Sequence, residues 1–269
     1  MELLPIIARL LLYAGVLVGT GVPFARWCRG HTWTARADAP AMRRLLIAWL
    51  AVRVSLAVML SAQLSALELT MSRADLLLLV QQTAWGRGWR TMAFLSFAAT
   101  VLTIVRAPQM LLLAVALAFG ASMGGIGHAA ADAELPAFSR VLDAMHVWSV
   151  SLWIGGLLWL RGDVGVSAWQ RFSRAATICA PVALLTGAGS ALRRAGAASI
   201  PAIQASDYGR LLLLKVLIVG VVLLIGAGHR RAVTKQGAPT AKSVNEELLL
   251  AFFALAVTAV LTGTAPPGE

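Results

Sequence analysis

His128 and His146 stand in a stretch, GGIGHAAADAELPAFSRVLDAMHVWSVSLWIGG at 124–156, that is otherwise mostly small and apolar. Asp132 and Glu134 lie between the two histidines, Asp143 precedes His146 by three positions, and Met123 and Met145 sit close to them in sequence. Imidazole nitrogen suits copper, zinc, iron and nickel, whereas thioether sulfur selects for soft Cu(I). On a helix, residues three apart share a face, so the Asp143 carboxylate is placed to accept from a His146 ring nitrogen and to fix its tautomer. The candidate metal ligands are therefore His128, His146, Met145, Met123 and Asp143. Met145 is turned about 100° from His146, and Met123 lies five positions before His128, so at most one methionine is expected to share the histidines' cavity. Taken alone, the same residues read equally well as polar helix ends beside a solvated loop.

Which reading applies depends on the medium around them. Of 269 residues, 59% are hydrophobic and 13% are charged, a composition outside the range of a soluble domain. The net charge of +11 comes from Arg and Lys spread over many short connections. That distribution excludes a nucleic-acid surface, which would gather them in one patch, and marks them as topogenic charge. The amino-terminal run MELLPIIARLLLYAGVLVGTGVPFARW lacks a basic start and a small-residue cleavage site, and is expected to stay as a helix. Cys28 and Cys179 have neither a paired spacing nor an extracellular framework, so no disulfide is expected.

Apolar runs near 3–25, 41–62, 89–106, 108–127, 138–160, 172–193, 208–229 and 245–264 approach the roughly 20 residues that cross a bilayer as a helix. The expected fold is an all-α integral membrane protein of eight transmembrane helices, a single membrane domain over 1–269. Thirteen basic residues, among them Arg26, Arg29, Arg43, Arg44, Arg171 and Arg230, fall on one set of connections, and seven on the other. The first set is assigned to the cytoplasm, which puts both termini and the 124–156 stretch outside. Residues 65–88, apolar over too short a run to cross, are expected as an outward interfacial segment.

TAWGRGWRTMAFL at 83–95 resembles SDYGRLLLLKVLI at 206–218: a hydroxyl residue, an aromatic, Gly-Arg, then an apolar helix. Each opens the third helix of a four-helix half, which predicts a parallel repeat of 1–127 and 138–264. Gly15 with Gly19, and Gly120 with Gly124, supply close helix packing. Arg53, near the middle of the second run, costs about 2.5–3.5 kcal/mol at the bilayer centre. It is expected to face the bundle and find a carbonyl or carboxylate, as a structural clamp or as part of a pathway. No acidic residue is expected deep in the membrane. Arg9 and Lys215 are expected to snorkel, and His31 and His229, beside Arg29 and Arg230, to be surface residues.

The later part of the chain carries HVWSVSLWIGGLLWL, QRFSRAATICAPVALLTGAGSAL, SDYGRLLLLKVLIVGVVLLIGAGHRR and NEELLLAFFALAVTAVLTGTAPP in that order. Together they resemble the copper-resistance protein CopD family, closely over 138–267 and more loosely over 1–127. The resemblance implies a bacterial inner-membrane protein that handles copper, with His146 and, less firmly, His128 at metal-handling positions and a separate periplasmic CopC-like donor as partner. It favours copper import over export. Two other classes remain open: a haem b electron-transfer protein, with histidines on adjacent helices as axial ligands, and a copper-delivery factor that does not transport. An enzyme is not expected, since no nucleophile elbow, phosphate loop or HExxH occurs.

Overall fold

The computed structural model describes residues 3–30, 35–126, 135–160, 164–196, 198–235 and 237–266. Among these residues the protein is helical, with no strand. The helices are α1 (Leu3–Arg29), α2 (Ala35–Ala66), α3 (Arg73–Leu77), α4 (Ala84–Ile104), α5 (Gln109–Ser122), α6 (Pro136–Trp159), α7 (Val166–Ala195), α8 (Ile200–Ala205), α9 (Asp207–Lys235) and α10 (Ala241–Leu261).

Six of them, α1, α2, α6, α7, α9 and α10, are long and apolar enough to cross a membrane, two fewer than expected. The chain is a multi-pass membrane protein. The third expected span is α4, which has the length but begins with Arg87 and Arg90 in its first two turns. The fourth is α5, whose 14 residues rise only about 21 Å. It ends in a single 3-10 turn at Met123–Gly125, where two glycines follow each other.

The core forms two apolar clusters. One joins Leu12, Val16, Leu45, Trp49, Met92 and Phe119, from α1, α2, α4 and α5. Trp49 and Phe119 meet edge to face with centroids 5.5 Å apart, a geometry that adds to simple burial. The other joins Phe24, Cys28, Trp153, Trp169, Phe172 and Val222, from α1, α6, α7 and α9. Both cysteines are buried and free. Lipid offers apolar side chains no reason to cluster, so close packing of small residues has to bring the helices together. Gly15 and Gly19 do this for α1 on α2, because a Cβ on either would run into Val52 or Trp49. Gly120 does it for α5 on α6, where a Cβ would stand 3.0 Å from Val147, while Gly124, in the 3-10 turn, has room for a methyl group beside Arg140.

The sequence echo corresponds to a shared start of helix. Thr83 Oγ1 accepts from the Gly86 N–H at 2.8 Å, and Ser206 Oγ accepts from the Gly209 N–H at 3.0 Å, satisfying amides that the first helical turn leaves without partners. Gly86 and Gly209 each lie so close to a preceding carbonyl, of Leu79 and Ile203, that a side chain there would collide. Residues 65–88 break into the short α3 and a π turn at Leu78–Gln82, neither long enough to cross. At its start Ser72 caps α3 by accepting from the Asp75 N–H, and the Asp75 carboxylate accepts from the hydroxyl and amide of Thr70, bonds that hold its carboxyl below the usual range.

A second π turn, Ser151–Gly155, interrupts α6. There Gly155 lies against the Leu17 carbonyl and Gly21 of α1, with no room for a side chain on either glycine. At one end of the bundle, Arg26 pairs with Asp38 at 3.2 Å, Arg29 donates to the Trp159 carbonyl at 2.9 Å and Arg171 to the Cys28 carbonyl at 3.0 Å. Arginine thus ties the ends of α1, α2, α6 and α7 together.

Candidate metal-handling site

The registers of α6 decide what its polar residues meet. Val147 and Trp148 face α5, where Trp148 Nε1 donates to the Leu117 carbonyl at 2.7 Å. Ser139, Leu142, Asp143 and His146 face α7 instead. The hairpin of α5 and α6 is antiparallel as expected, since Gly120 meets Val147 while Gly124 meets Arg140. His146, however, turns to the opposite neighbour.

His146 Nδ1 lies 2.9 Å from the Ala183 carbonyl oxygen and 3.4 Å from Thr186 Oγ1. A carbonyl only accepts, so Nδ1 carries the proton and Nε2 keeps its lone pair. Gly187 makes this approach possible, because a Cβ there would stand 2.9 Å from His146 Cε1. Asp143 does not orient the ring, contrary to the expectation from spacing. One turn away along the same face, its Oδ1 accepts from Ser190 Oγ at 2.9 Å. The tautomer is set by the backbone of α7.

Positive charge closes around this pair. Lys215 of α9 is partly buried within electrostatic reach of Asp143, His146 and Arg194. Lys215 therefore belongs to this interior group. Arg194 Nη2 donates to the Thr264 carbonyl at 2.7 Å, and its guanidinium lies 5.2 Å from the Tyr208 ring centroid. Arg9 Nη1 donates to the Ala259 carbonyl at 3.3 Å, and Tyr13 donates to Thr262 Oγ1 at 3.1 Å. The end of α10 is thereby fixed against α1 and α7.

The two methionines have other surroundings. Met145 is 39% exposed on the flank of α6, and Met123 packs with Ile126 and Val147 against the α1–α5 cluster. His128, with Asp132, Glu134 and His31, lies outside the described residues. No group of three or more His, Cys, Asp or Glu able to hold a metal occurs among the described residues. Arg53 is partly buried, but no hydrogen-bond or carboxylate partner for it occurs among the described residues. Its neighbours make the interhelical contacts: Ser55 Oγ donates to the Ala8 carbonyl at 2.6 Å and Val52 packs on Gly15.

A polar site that sequence reasoning missed lies further along the bundle. Glu247 of α10 is 1% exposed, with Oε2 2.6 Å from Nδ1 of the buried His229 of α9. Trp153 Nε1, on the π turn of α6, donates to Glu247 Oε1 at 3.1 Å, and His229 Nε2 lies 2.7 Å from Ser243 Oγ. An acidic residue is thus buried in an apolar helix, and His229 is not a surface residue. The signal in the sequence was weak: Glu246 and Glu247 are adjacent, and nothing local tells which turns inward.

Neither the curated proteins nor the solved structures contain a match to the chain. Residues 166–261, which supply Ala183, Gly187, Ser190, Arg194, Lys215, His229 and Glu247, match the family model described as Copper resistance protein D, and the family resemblance read from the sequence holds over that stretch.

Proposed function

We propose that the protein carries copper across the bacterial inner membrane, receiving it at the periplasmic face near His146 and moving it inward. The observation that carries this reading is the held imidazole: Nδ1 is fixed on a backbone carbonyl, so Nε2 is presented as a metal ligand. His128, on the connection that follows α5, is the second ligand in this reading, and Asp143 offsets the positive charge of Lys215 and Arg194 beside the cation's path. The domain match supports copper as the cargo. With α4 and α5 also inserted, the fold has eight spans arranged as two four-helix halves, with both termini periplasmic and a CopC-like protein as the copper donor.

The test is copper accumulation by vesicles containing wild-type protein or His146→Ala, with His146→Gln as a shape-preserving control. Loss of accumulation in both variants, at unchanged protein level, is expected. Accumulation equal to wild type would remove His146 from the path. Normal cellular copper with a failure to load a cuproprotein would instead favour delivery without transport.

A further inference from the structure

We propose that the groove between α7 and α9, at the arginine-rich end of the bundle, binds the phosphate of an anionic phospholipid. Gln170, Ser173, Arg174 and Thr177 follow at i, i+3, i+4 and i+7 and form one face of α7; Arg230, Val233 and Thr234 form one face of α9. The two faces line an open groove of about 480 Å³. Arg174 and Arg230 are both exposed in it, and neither has a hydrogen-bond or carboxylate partner among the described residues. Their neighbours differ, since Arg26, Arg29 and Arg171 at the same end are all engaged.

Among the described residues, the carboxylates Glu246 and Glu247 do not serve the groove either. Glu246 lies 3.9 Å from Lys242, and Glu247 is held by His229 and Trp153. The hydroxyls of Thr177 and Thr234 donate to carbonyls of their own helices, at 2.7 and 2.8 Å, and shape the walls. Two guanidinium forks, the Ser173 hydroxyl and the Gln170 amide remain as donors. Such forks match the paired oxygens of a phosphate better than a point charge does.

Phosphate could come from a lipid headgroup or from a soluble compound. The surroundings favour lipid: toward the middle of the same helices, Ile178 and Leu224 are 67% and 75% exposed, an apolar surface suited to acyl chains below a bound headgroup. Basic pockets between helices on the cytoplasmic side of a membrane recognise anionic headgroups by this chemistry.

The test compares binding of spin-labelled phosphatidylglycerol and phosphatidylcholine to the full chain in phosphatidylcholine nanodiscs. Wild type is expected to prefer phosphatidylglycerol, and Arg174→Gln/Arg230→Gln to lose that preference by about tenfold or more. Arg231→Gln/Lys235→Gln removes the same charge from the same end outside the groove and is expected to keep it. Arg230→Lys, which retains charge without the fork, gives a partial loss and serves if the double variant fails to fold. Equal effects of the two double variants would overturn the site in favour of diffuse charge. Displacement of the labelled lipid by inorganic phosphate would overturn the choice of lipid as the source.

Discussion

Glu247 and His229 sit 2.6 Å apart between α9 and α10, and the indole of Trp153 completes the carboxylate's environment from α6. Three helices are thus joined by one carboxylate inside an apolar bundle. Removing one member of a buried pair leaves the other charged or polar group without compensation, at about 3–5 kcal/mol.

Glu247→Ala is accordingly expected to be strongly destabilised, and Glu247→Gln, which keeps an acceptor for Trp153, less so. Thermal unfolding in detergent, followed by circular dichroism, checks the order. Equal stability of the two variants would show that the Trp153 bond contributes little.

Gly187→Ala is expected to lower copper accumulation by about tenfold without unfolding the protein, because the new methyl group displaces the His146 ring from the Ala183 carbonyl. Gly189→Ala, whose Cβ would meet only the flexible Leu142 side chain at 3.3 Å, is the matched control and is expected to transport normally. Vesicle uptake of the two variants side by side gives the comparison.

Thr83→Ala and Ser206→Ala are each expected to cost about 1 kcal/mol, through loss of equivalent caps on α4 and α9. Gly86→Ala and Gly209→Ala should cost more than their neighbouring caps, since a backbone carbonyl blocks the added carbon. Unfolding midpoints of the four variants test both statements.

The protein as purified is expected to show no Soret band. His229 is already engaged by Glu247 and Ser243 and is therefore not free to serve as an axial ligand. A visible spectrum with a Soret maximum would reassign the protein to the haem b class.

Much of the architecture was legible because a bilayer constrains sequence strongly. Run length placed the long helices, and the spacing of Gly15 with Gly19 located a real seam, as did Gly120 though not its partner Gly124. Span number was harder to read. The extent of the apolar runs alone did not separate α4, with its two early arginines, or the short α5 from the six helices apolar enough to cross. Side-chain direction was the least legible. Asp143 and His146 do share a face, but only the α7 register shows that this face meets Ala183 and Ser190. Glu246 and Glu247 differ by about 100° of helix rotation, and that rotation separates a half-exposed partner of Lys242 from the most deeply buried acid described.

The first helix has a place that neither cluster can do without: Leu12 and Val16 belong to one, Phe24 and Cys28 to the other, and Gly21 abuts Gly155 between them. A displacement of α1 would therefore disturb both clusters at once. The contact of Gly21 with Gly155 marks where α1 and the π turn of α6 come close enough that no side chain fits between them, so a substitution at either glycine would push both clusters apart.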